Sequence, residues 1–77
     1  MKNIKLVWQF SGPDSLKIAE HHLNHLSEYM IINNIVLKDK AVESINDFSA
    51  LSFIIIDQFY VKKLSIDLRP HKVILIE

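Results

Sequence analysis

Residues 57–70 read Asp57-Gln58-Phe59-Tyr60-Val61-Lys62-Lys63-Leu64-Ser65-Ile66-Asp67-Leu68-Arg69-Pro70, and two regular structures compete for them. Leu64, Ile66 and Leu68 alternate with Ser65, Asp67 and Arg69, as in a strand with one face buried. Val61, Leu64 and Leu68 also share one face of a helix, with Lys62, Lys63 and Asp67 pointing away from it. Asp57 is a good helix N-cap, and Pro70 forbids continuation beyond Arg69. The helical reading is preferred because the flanking strands need a second helix to cover them.

Upstream, Ile4, Leu6, Trp8 and Phe10 alternate with Lys5, Val7 and Gln9, the period-two pattern of a strand over Ile4–Phe10. Ser11-Gly12-Pro13-Asp14-Ser15 ends it, and proline at a first helical position predicts a helix starting near Pro13. Leu16, Ala19, Leu23, Leu26 and Met30 then recur at steps of three and four, and Asn33-Asn34 supplies a stop. Ile35 to Ile45 is rich in β-formers with polar interruptions and reads as one irregular or bulged strand. After a turn at Asn46-Asp47, Ala50 to Ile56 reads as a central strand, apolar on both sides. Val73 to Ile76 is the last strand.

The order β-α-β-β-α-β resembles the ferredoxin-like arrangement: an α+β fold with a four-stranded antiparallel sheet and two helices on one face. The resemblance spans residues 1–77, read as one domain, and lies in topology and length alone. It carries no function, because the fold hosts many unrelated activities.

Composition narrows the function classes. Nine basic and nine acidic residues among 77 give zero net charge, which removes a general electrostatic drive toward nucleic acid or an anionic membrane. Apolar residues at 49% with 23% charged argue for a folded domain rather than disorder. The absence of cysteine excludes disulfides, thiolate nucleophiles and zinc-thiolate sites, and predicts a reducing, cytoplasmic setting. No apolar run approaches the ~20 residues of a membrane span, and the Ile4–Phe10 segment, broken by Lys5 and Gln9, is no signal peptide. There is no nucleophile elbow, phosphate-cradling glycine loop or paired-carboxylate motif, so a non-catalytic protein without a cofactor is the favoured expectation.

Three sets of candidate residues remain. The topology gathers Ser11, Gly12, Asn46, Asp47, Arg69, Pro70 and His71 on one rim beside the start of the first helix. A small anionic ligand could bind there, with Arg69 as clamp and His71 as donor. The plainer alternative has Arg69 capping its own helix or pairing with Asp47. His21 and His25 stand at i, i+4, a spacing that lets two imidazoles hold one metal, but on the helix face opposite the apolar stripe. His22 lies at the stripe's boundary and, with Tyr29 and Trp8, would line any pocket between helix and sheet. A small enzyme using His22 or His71 as a base is therefore the alternative function, and it requires a histidine in a cavity wall.

The sheet supplies the broadest signal. In the third strand both Phe53/Ile55 and Ile54/Ile56 are apolar, and in the last strand both Val73/Leu75 and Ile74/Ile76 are, so whichever set faces the helices, another faces outward. Val7, Ile54, Ile56, Ile74 and Ile76 are the expected interface residues of a homodimer packed sheet to sheet, forming a small binding or regulatory domain. The four histidines tie such association to pH, since their protonation near pH ~6.5 would take the charge from 0 toward +4.

Overall fold

A computed structural model describes residues 2–76. The elements run β1 (Asn3–Ser11), α1 (Ser15–Ile32), β2 (Asp39–Asn46), β3 (Ser49–Asp57), a 3-10 turn (Gln58–Tyr60), α2 (Val61–Leu68) and β4 (Lys72–Ile76). The strands form one sheet in the order β2-β3-β1-β4, with every neighbouring pair antiparallel. This is the ferredoxin-like α+β fold expected from the sequence. Within residues 57–70 the helical reading holds over 58–68, but α2 is entered through a 3-10 turn whose Phe59 N–H donates to Asp57 Oδ1 at 2.9 Å. Asp57 thus caps the turn rather than α2 itself.

Period-two alternation sets the layers. Ile4, Leu6 and Trp8 of β1 and Ile54 and Ile56 of β3 pack with Leu26 and Met30 of α1 and Leu64 of α2, so both helices cover the same face. The α1 stripe is fulfilled at Ala19, Leu26 and Met30, whereas Leu16 is largely exposed and Ser15 is buried in its place. The helix starts at Ser15, not Pro13, because Pro13 and Asp14 are occupied by the turn out of β1. Asn34 takes the left-handed conformation expected of a helix stop (φ 57°). Arg69 does the same after α2 (φ 46°), where a residue with a Cβ is strained.

The irregular second strand is confirmed in kind and shortened in extent. Ile35 to Lys38 cross to the sheet without pairing regularly, β2 begins at Asp39, and a register shift between Ser44 and Asn46 makes the bulge. β4 is a sheet edge, and Val73, Ile74 and Leu75 are 51%, 43% and 49% exposed. Val73 and Leu75 pair with Leu6 and Ile4 and so lie on the helix side, but the eight-residue α2 does not cover them.

Candidate functional site

The most built polar group on the helix side centres on His22. Its Nδ1 shares a 3.1 Å hydrogen bond with Ser52 Oγ, and its ring lies 5.1 Å from Trp8 and 5.2 Å, edge-on, from Phe10. Ser52 is fully buried, paired in register with Trp8, so His22 is what satisfies its hydroxyl. Burial holds the His22 imidazole below its ordinary pKa, with nearby His25 and His71 adding to the effect. The Trp8 indole N–H donates to the Leu68 carbonyl at 2.9 Å, tying β1 to the end of α2. Ser52 escaped the sequence reading, though a signal was present: it is the one polar residue inside the apolar run 50–56.

Tyr29, expected beside His22, instead donates from its hydroxyl to Asp67 Oδ2 at 2.6 Å, joining α1 to α2. Asp67 also pairs with Lys63 at 3.3 Å. The hydrogen bond to Asp67 raises the Tyr29 pKa, while the Tyr29 hydroxyl, then Lys63, hold Asp67 below the usual carboxylate value. The larger cavities do not serve the enzymatic alternative. One of about 530 Å³ lies among Ile35, Phe59, Tyr60, Lys62, Lys63 and Ile66. Another of about 430 Å³ lies along the first turns of α1 beside His21. Neither has His22 or His71 in its wall.

The rim forms as the topology requires, and the Gly12 and His71 backbone N–H groups within it are already committed. The Gly12 N–H donates to the Phe48 carbonyl at 2.8 Å, and Ser11 stands opposite Ser49 in the strand register. His71 Nδ1 accepts from the Gln9 backbone N–H at 2.8 Å, and the His71 N–H donates to the Val7 carbonyl. His71 therefore continues the β1–β4 ladder through its side chain, holding its ring in the tautomer with Nδ1 unprotonated. The Arg69 backbone N–H donates to the Ser65 carbonyl at 3.2 Å at the end of α2, and the Arg69–Asp47 pair does not form among the described residues.

His21 and His25 stand with their Nε2 atoms 3.0 Å apart on the exposed face of α1. With metal–nitrogen bonds of ~2.05 Å, that separation implies a ligand angle of roughly 94°, closer to a cis pair in octahedral or square-planar coordination than to a tetrahedron. No third metal-ligating side chain joins them among the described residues.

The outer face of the sheet differs from expectation in its membership. Ile54 and Ile56 are fully buried beneath the helices and cannot be interface residues, because β3 pairs Leu6 with Ile54 and Ile4 with Ile56, and β1 turns those residues inward. The outward set of β3 is Leu51, Phe53 and Ile55. Phe53 pairs with Val7 on one side and Ala41 on the other, giving an apolar row across three strands. Ile74 and Ile76, opposite Lys5 and Asn3, extend the same face on β4. The Lys5 ammonium lies 4.1 Å above the Phe53 ring and screens it.

No helix among the described residues is long and apolar enough to cross a membrane. No family model matches the chain, and no curated protein or solved structure matches it either.

Proposed function

We propose that this small α+β domain is a non-catalytic binding module of the cytoplasm that self-associates through the open face of its sheet. The observation that carries the reading is the apolar row Ala41–Phe53–Val7 on a sheet face that no described element covers: Phe53 and Val7 are shielded by their neighbours to 8% and 6% exposure, and Leu51, Ile55, Ile74 and Ile76 around them form its accessible part, among Lys5, Asp39 and Glu43. A solvated sheet face is ordinarily polar, and an uncovered apolar one marks an interface. Four strands ~4.8 Å apart, with about five residues each, make a face of roughly 300 Å² per partner, which is small for a specific interface and fits a weak, transient association.

The test is sedimentation equilibrium of the wild-type chain and of Ile55→Lys, which adds a charge to the outward side of β3 between Lys5 and Asp39 while leaving the helix-side core untouched. Concentration-dependent association that weakens in Ile55→Lys supports the reading. A wild-type chain that stays monomeric at tens of micromolar overturns it.

A further inference from the structure

The two edges of the sheet are built differently. The β2 edge carries Asp39, Lys40 and Glu43 and is kinked by the register shift between Ser44 and Asn46, devices that prevent another strand from adding to it. Beyond Lys72, β4 has none of them: Val73, Ile74, Leu75 and Ile76 form a regular, uncharged edge, apolar on both faces. Its free backbone groups can be assigned. The Val7 carbonyl and the Gln9 N–H both point to His71, so the odd-numbered residues of β1 aim their backbone at β4. The Gly12 N–H to Phe48 bond, in register with the β1–β3 ladder, assigns the even-numbered ones to β3. By strand alternation Lys72, Ile74 and Ile76, the partners of Val7, Lys5 and Asn3, face β1. Val73 and Leu75 are left with their N–H and C=O groups at the open edge.

We infer that β4 is a second self-association surface, pairing antiparallel with β4 of another copy about a two-fold axis through Ile74. In that register Val73 lies opposite Leu75 of the second copy, and each such pair exchanges two backbone hydrogen bonds. Ile74 meets its own equivalent on the outer face, and the half-exposed Val73 and Leu75 side chains cover one another on the helix side. A second copy fits better than an unrelated strand, because the edge is self-complementary: apolar on both faces, with every free backbone group matched. The product is a continuous eight-stranded sheet whose two outer edges are both β2. Since β2 is blocked, pairing stops at two copies rather than running on as a fibre. The pairing also joins the two apolar outer faces side by side, so it extends the proposed face association while resting on separate observations.

The two contacts are separable by substitution. Leu75→Pro removes the Leu75 N–H at the open edge, a position where an edge strand tolerates proline, and Val73→Lys blocks the same edge by charge should the proline variant fail to fold. Sedimentation equilibrium is run on Ile55→Lys alone, on Leu75→Pro alone and on the double variant, each checked for folding by circular dichroism. The edge is expected to hold Ile55→Lys together as a dimer, and adding Leu75→Pro or Val73→Lys to raise its dissociation constant at least about tenfold. A monomeric Ile55→Lys chain at hundreds of micromolar, or an Ile55→Lys dimer unchanged by both edge substitutions, overturns the edge pairing. The face reading is judged separately, on whether Leu75→Pro alone still associates.

Discussion

Replacing His22 by leucine tests whether the buried Ser52 hydroxyl depends on the imidazole. Ser52 is fully buried and His22 Nδ1 lies 3.1 Å from its Oγ. Leucine is close in size, keeps an apolar contact with Trp8 and Phe10, and keeps water from taking the vacated position, so the main loss is the hydrogen bond. A buried hydroxyl left without a partner costs about 1–3 kcal/mol, whereas removing both partners of such a bond is nearly neutral. For 77 residues at ~0.05–0.15 kcal/mol each, total stability is about 4–12 kcal/mol, so the loss is readily measured. Urea unfolding at pH 8, with an unchanged denaturant slope, gives the free energies. His22→Leu should destabilise by about 1–3 kcal/mol and Ser52→Ala alone by ~1 kcal/mol or less. The decisive quantity is the sign of Ser52→Ala in the His22→Leu background, where it should restore stability because no orphaned hydroxyl remains. If Ser52→Ala destabilises equally in both backgrounds, the two residues are not coupled and the reasoning fails.

Further outcomes follow from the same geometry. The depressed His22 pKa means that the unfolded chain binds the proton more readily, so its contribution to stability is present above the unfolded value near pH ~6.5 and is lost as pH falls through the lower folded value; stability measured from pH 8 to 5 should decline, and less steeply in His22→Leu. Leu64 is the one fully buried anchor of α2, so Leu64→Ala should cost about 2–5 kcal/mol in urea unfolding and release the helix end that accepts the Trp8 N–H, seen as a shift in indole fluorescence. Arg69→Gly should stabilise the chain by ~1 kcal/mol by relieving the left-handed conformation at φ 46°, and an unchanged or lower stability would show that the side chain contributes there. Calorimetric titration with Ni²⁺ should give weak one-to-one binding that His25→Ala abolishes, as the 3.0 Å imidazole pair requires.

Alternation and helical periodicity made the fold legible where one face of an element is clearly polar. That held for Ile4–Phe10 and for most of the α1 stripe. It failed to orient β3, because Phe53 and Ile55 are as apolar as Ile54 and Ile56, and only pairing with β1 decides which set turns inward. The same limit makes the β4 edge invisible in sequence: Val73 and Leu75 look like core, and they are half-exposed because α2 ends after eight residues. The candidate site was legible in part. His22 was placed at the helix boundary, but its partner lies 30 residues away on β3, a contact that no local spacing encodes. Tyr29 went to Asp67 for the same reason, through a contact 38 residues long in sequence. The rim residues were gathered by topology alone, and how far their N–H groups were already committed depended on the bonds Gly12–Phe48 and Gln9–His71.

The central claim is self-association through the sheet, and sedimentation equilibrium of the wild-type chain from about one to several hundred micromolar at pH 7.5 tests it most directly. The expected result is a mass rising with concentration from the 9.0 kDa of one chain to at least twice that value, with the rise suppressed when Ile55→Lys and Leu75→Pro are combined. A mass still fixed at that of one chain at tens of micromolar would contradict it.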